Sequence, residues 1–174
     1  MNFFGVDASR IQHNKLDGND HGMQMVEGSS GNIIRSNAVS HSGGSAIEVG
    51  GEDNRVEHNR LRDNGDGILV GASDTLISRN IVTGTGFFGF PDTGGFGIIL
   101  GGAVGTTVDR NIVTGGRGPA IFVSALESPP SQDSVISRNH VTSKLSDGIL
   151  VDGATGTLLV RNIAIRNGDD GIDV

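Results

Sequence analysis

The sequence predicts an all-β parallel solenoid, a chain wound into about seven short coils whose strands stack into three short parallel sheets. Three observations predict it. An Asn recurs in one context, at Asn14, Asn37, Asn59, Asn80, Asn111, Asn139 and Asn162, with spacings of 23, 22, 21, 31, 28 and 23 residues. Aliphatic residues stand at fixed offsets from each of these Asn. Glycine supplies 29 of the 174 residues, more than twice the usual share of ~7%. A fixed period of 20–50 residues is the mark of a repeat architecture.

The repeat resolves into elements. Three residues before each Asn sits Ile11, Ile34, Val56, Ile77, Val108, Ile136 or Leu159. Two residues after it sits Leu16, Val39, Leu61, Val82, Val113, Val141 or Ala164. These are two short strands meeting at an Asn corner. A third strand carries a small residue, an aliphatic, and a second aliphatic two positions on: Gly22-Met23-Met25, Ala46-Ile47-Val49, Gly67-Ile68-Val70, Gly97-Ile98-Leu100, Ala120-Ile121-Val123, Gly148-Ile149-Val151 and Gly171-Ile172-Val174. Apolar residues alternate inside each strand, as a half-buried strand requires.

One such coil cannot bury its own apolar side. Coils stacked at ~4.8 Å can, and their backbone N–H and C=O groups then pair with the coils on either side. Ile and Val align into a continuous inner column, and the Asn side chains can bond to their equivalents one coil away. Gly suits the left-handed or tight corners. Four of the Asn follow an Arg (Arg79, Arg110, Arg138, Arg161), a column that alternation points outward. Stacked like charges repel unless they fan out or meet carboxylates such as Glu57 and Asp109, and an anionic ligand could use the same row.

Composition excludes other classes. With no Cys, neither a disulfide scaffold nor a Cys zinc site can form. No apolar run approaches the ~18 residues of a membrane span. Gly lacks the period of three of collagen, and its abundance disfavours a helical bundle. The net charge of −7 argues against nucleic acid as a partner. The opening residues contain no basic region followed by an apolar core of signal-peptide length.

With these columns in place, the sequence from about Ile11 to Val174 resembles the right-handed parallel β-helix proteins of the pectate lyase-like superfamily. That superfamily includes pectate lyases, polygalacturonases, alginate-modifying lyases and epimerases, NosD-like periplasmic proteins and non-catalytic surface β-helices. The resemblance implies the right-handed winding and an extracellular or periplasmic location. It also implies a carbohydrate-active segment acting on or binding an acidic polysaccharide, by lyase, epimerase or hydrolase chemistry. A structural, adhesive or surface β-helix without catalysis is the alternative.

Function would sit where the repeat is interrupted. The segment Gly84 to Phe96 carries Phe87, Phe88, Phe90, Asp92 and Phe96, and the segment Ser124 to Ser134 carries Glu127. Such insertions become loops, and these two can wall a groove across the strands at Ile98 and Ile121. The outward row of that sheet reads Gln24, Glu48, Leu69, Ile99, Phe122, Leu150 and Asp173. Phe88, Phe90, Asp92, Leu69, Ile99, Phe122 and Glu127 are therefore the substrate-binding candidates. Lyase or hydrolase chemistry needs an acid/base pair within reach of one sugar. Asp20, His21 and Glu48, on adjacent coils, are the candidates for it.

Asp169, Asp170 and Asp173 offer oxygen ligands suited to calcium. The stretch Asn167-Gly168-Asp169-Asp170-Gly171-Ile172 is similar to a polygalacturonase motif. Its ending recurs at Asp66-Gly67-Ile68 and Asp147-Gly148-Ile149, and that family's other motifs are missing. It reads as a feature of the repeat, in which Asp66, Asp147 and Asp170 cap backbone donors. The sequence stops in mid-pattern, and no amphipathic helix covers either end. A partial solenoid spanning 1–174, or end-to-end self-association through uncapped coils, is the expectation.

Overall fold

A computed structural model describes residues 1–26, 28–86, 94–125, 129–143 and 145–174. It is a right-handed parallel β-helix with three parallel sheets. The first sheet has eight strands, in the order Asn2–Phe3, Met23–Met25, Ser45–Val49, Asp66–Val70, Ile98–Gly101, Ile121–Ser124, Ile149–Asp152 and Ile172–Asp173. The second runs from Arg10–Gln12 to Leu158–Val160 and the third from Lys15–Asp17 to Ile163–Ala164, each with seven strands. Among the described residues no helix is long and apolar enough to cross a membrane.

The register follows the sequence columns. Ile11 pairs with Ile34, Ile34 with Val56, and Val56 with Ile77. Val82 lies between Leu61 and Val113. Ile47, Ile68, Ile98, Ile121 and Ile149 are stacked and fully buried. These columns merge into one core. Each buried Ile or Val contributes about 1.5–3 kcal/mol, and the alternation that hides one residue turns the next outward.

The Asn corner between the second and third sheets is a continuous run of hydrogen bonds. Asn37 Nδ2 donates to Asn59 Oδ1 at 3.1 Å, Asn59 Nδ2 to Asn80 Oδ1 at 3.0 Å, and the run continues through Asn111 and Asn139 to Asn162. Each amide oxygen also accepts the backbone N–H of the preceding Asn, as Asn59 Oδ1 does from Asn37 N at 2.9 Å. The second amide hydrogen goes to a backbone carbonyl, such as Ile34 O for Asn59. Every polar atom of these buried side chains is thus engaged, which burial demands.

Two further polar columns escaped the sequence reading. Asn32 and Asn54 repeat the arrangement at the corner before the second sheet, and Asn64 caps Ser42 N at the corner after the third. Their signal was a second Asn five residues before Asn37 and Asn59, and one five residues after Asn59.

Glycine takes the left-handed corners as expected before the second sheet, at Gly31, Gly105 and Gly156, and after the third, at Gly18, Gly84 and Gly115, but not at the Asn corner. The left-handed position at the Asn corner is held by His13, Ser36, His58, Arg79, Arg110, Arg138 and Arg161, with φ of 53–57° and no Gly among them. Ahead of the first-sheet aliphatics, Gly22, Gly67, Gly97 and Gly148 are glycine for lack of space. A Cβ on Gly67 would run into Gly97 O and Val82 Cγ1.

Candidate binding groove

The outward row of the first sheet is in the register the alternation predicts. Gln24 pairs with Glu48, Glu48 with Leu69, Leu69 with Ile99, Ile99 with Phe122, Phe122 with Leu150, and Leu150 with Asp173. A groove of ≈ 750 Å³ runs over the middle of this row, floored by Glu48, Leu69, Ile99 and Phe122. Phe96 stands on one side and Pro129 on the other, one from each interruption.

A second row deepens the floor. Three residues after the buried aliphatics Ile47, Ile68 and Ile98 come Gly50, Gly71 and Gly101, all lining the groove. A Cβ on Gly71 would meet only Gly101 O, at 3.4 Å, and its backbone is not left-handed. Nothing in the backbone demands Gly there, and its effect is to leave the floor open. In the next coil the equivalent position is Ser124, which also lines the groove. The constant offset of three from the inner aliphatic was the signal that sequence reading missed.

Phe96 is pinned by the coil next to it. Its backbone N–H donates to Asp66 Oδ1 at 2.8 Å, and its carbonyl accepts from Gly67 N at 2.9 Å. Its ring then stacks on Phe122, with centroids 5.3 Å apart and planes 15° from parallel. Such a pair adds ~0.5–1.5 kcal/mol beyond its area burial. Burial pushes the Asp66 carboxyl above its usual range, only partly offset by the N–H groups of Phe96 and Gly95 that face it. Asp147 caps Asp170 N in the same way at 3.0 Å.

The acid/base candidates do not gather in this groove. Glu48 lines it, with Oε2 accepting from Gln24 Nε2 at 2.8 Å. Asp20 is exposed on the turn before Met23. His21 lies over Gly44, where a Cβ would strike its ring, and its Nδ1 is buried without a partner. Among the described residues no group of three His, Asp or Glu side chains close enough to share a metal ion contains Asp20, His21 or Glu48. Leu69, Ile99 and Phe122 stand where predicted, whereas Phe88, Phe90, Asp92 and Glu127 lie outside the described residues. Asp169 and Asp170 converge with Asp147, not with Asp173, which is exposed at the end of the outward row.

Residues 2–173 match the family model described as periplasmic copper-binding protein (NosD). The chain belongs to the NosD family. No curated protein matches it in sequence. Among solved structures it is similar to an alginate lyase from Paenibacillus sp. str. FPU-7, at 15% identity and a TM-score of 0.63, covering 97% of this chain and 74% of that one. At that identity the likeness bears on the fold.

The NosD description names copper, and the donors of this NosD-family chain do not suit it. Copper selects imidazole and sulfur ligands. The chain has no Cys, and of its three Met, Met23 and Met25 are buried in the core while Met1 is exposed at the first strand. Its five His are dispersed: His13 and His58 on alternate coils of the Asn corner, His41 against Asp17 at 2.7 Å, His140 on a third-sheet strand, and His21 over Gly44. The one three-ligand convergence among the described residues is Asp147, Asp169 and Asp170, an all-oxygen set of the kind hard cations prefer.

Proposed function

We propose that this NosD-family β-helix binds a segment of acidic polysaccharide in the groove of its first sheet, as a binding module without catalysis. The observation that carries the reading is the Phe96–Phe122 stack beside an open glycine floor. Stacked rings and small residues suit the apolar face of a sugar ring, and Glu48 is the only charged side chain among the described lining residues. A uronate polymer would lay its apolar faces on Leu69, Ile99 and Phe122 and turn its carboxylates toward solvent, away from Glu48. The alginate lyase neighbour supports a polyuronate as the polymer class. Asp20 and His21 are not among the groove's lining residues, which supports binding over bond cleavage. The family description supports a periplasmic location, and Asp147, Asp169 and Asp170 are the donors a calcium ion would use.

The test is incubation with pectate, polygalacturonate and alginate, with and without calcium, following binding, unsaturated product and reducing ends. Saturable binding without new products is the expected result. Product formation that Glu48→Gln abolishes would replace the binding reading with a lyase or hydrolase.

A further inference from the structure

A second cavity, of ≈ 410 Å³, opens at the Asn corner between the second and third sheets, on a different face from the groove. Its charged lining is cationic, Arg60 and Arg79, with the His58 imidazole beside them. His58 and Arg79 hold the same corner position on adjacent coils, ~4.8 Å apart along the stack. Arg60 projects from the third sheet two residues after His58, between Ala38 and Ile81 in the register. The short side chain of Ala38 leaves the space beneath it.

The rest of the molecule shows what cations at this corner require. On the next two coils, Arg110 and Arg138 both reach the Asp109 carboxylate, Arg138 at 3.1 Å, and Ser137 Oγ donates to it at 2.7 Å. One carboxylate thus relieves two stacked guanidinium groups. At the level of Arg79 the residue in register with Asp109 is Ser78, which carries no charge. Glu57, one coil the other way, is held by Arg55. Arg60 and Arg79 make no ion pair among the described residues, in a chain whose net charge is −7. Two guanidinium groups around an open notch repel one another, and an oxyanion between them removes that cost with charge-assisted hydrogen bonds, to which the His58 ring can add a donor. We infer that the His58–Arg60–Arg79 notch binds one oxyanion group, a sulfate, phosphate or carboxylate, in the place that Asp109 fills for Arg110 and Arg138.

The experiment follows arginine Nε–H and backbone amide resonances by nitrogen–proton correlation spectra during titration. The probes are sodium sulfate, sodium phosphate and a galacturonate oligomer, against sodium chloride at equal ionic strength. Saturable shifts centred on Arg60 and Arg79, absent with chloride, are expected. Saturation by the inorganic ions alone identifies a free-ion site, and saturation by the oligomer alone identifies a polymer-borne group. R60Q/R79N, in which Asn tolerates the left-handed corner, should weaken binding at least tenfold. The charge-matched control R10Q/R166N should change it less than twofold, since Arg10 and Arg166 are exposed elsewhere. Diffuse, non-saturating shifts in the wild-type protein, or equal losses in both double variants, overturn the proposal. Gly71→Val, which fills the groove, should leave sulfate binding intact, so failure of the groove reading and failure of this one are separable.

Discussion

The Asn corner and the groove face grow from the same repeat, and they obey it to different degrees. At the corner seven coils place an Asn in one geometry, and the hydrogen-bond run survives repeat lengths from 21 to 31 residues. On the groove face the inner aliphatics keep register, but the outward residues change from Gln24 and Glu48 to Leu69, Ile99 and Phe122. Phe96 and Pro129, from the two long insertions, also line that face. The comparison teaches that stability is carried by what repeats. Variation is left to positions the stacking does not constrain, since an outward side chain can change without breaking a ladder.

The largest expected effect breaks the repetitive side. Asn59→Ala removes the acceptor for Asn37 N and Nδ2 and the donor to Ile34 O and Asn80 Oδ1. At ~1–3 kcal/mol for each orphaned buried group, the loss should be about 3 kcal/mol or more, read by urea unfolding. A loss below ~1 kcal/mol would mean that water replaces the run and that the corner is not what holds the stack.

The next effect separates binding from folding on the groove face. Gly71→Val should shift stability by less than about 1 kcal/mol, because the backbone is ordinary and the space above it open. Polyuronate binding, measured by calorimetry, should fall at least tenfold. Unchanged binding would move the recognition surface off this floor. Phe122→Ala, by contrast, should lose both binding and about 2–4 kcal/mol of stability, since the ring is 8% exposed and stacked on Phe96.

The smallest effects are pH profiles of opposite sign. Burial raises the Asp66 carboxyl in the folded state, so its contribution favours folding at acid pH and is lost as pH rises through the folded value. Asp66→Asn, which keeps an acceptor for Phe96 N, should leave the protein as stable or more stable at pH 7, with the advantage fading toward pH 4. For Asp109, burial also pushes upward but is outweighed by the Ser137 hydroxyl and the Arg138 and Arg110 guanidinium groups, so the carboxyl is held low. Its stabilisation is present above the unfolded value and lost as pH falls through the folded one. Asp109→Asn should therefore destabilise at pH 7 and converge with wild type in acid. Parallel profiles for the two variants would show that neither carboxylate is tuned as described.

Much of the groove lining was legible in the outward row, because alternation assigns each strand residue to a face whatever its coil. The row of Leu69, Ile99 and Phe122 and the walls at the two interruptions follow from that rule. The cluster proposed for Asp20, His21 and Glu48 rested instead on proximity across a turn. There the path of the backbone decides, and it puts His21 over Gly44 and leaves Glu48 with Gln24. Asp169 and Asp170 found Asp147 because capping links equivalent positions of adjacent coils, whereas Asp173 lies on a different row.

What the sequence determined alone was the winding into stacked coils, the core columns and the Asn corner, since a repeated offset becomes a repeated contact once coils stack at one spacing. What only the tertiary structure decided were the unmatched places: the glycine floor, the tie from Asp66 to Phe96, and the corner where Arg79 meets Ser78 instead of a carboxylate. Asp66 and Phe96, and Ser78 and its register partner Asp109, stand on neighbouring coils, 30 and 31 residues apart across the long insertion. The insertion changes the offset while the stack keeps the register, so counting along the chain cannot pair them.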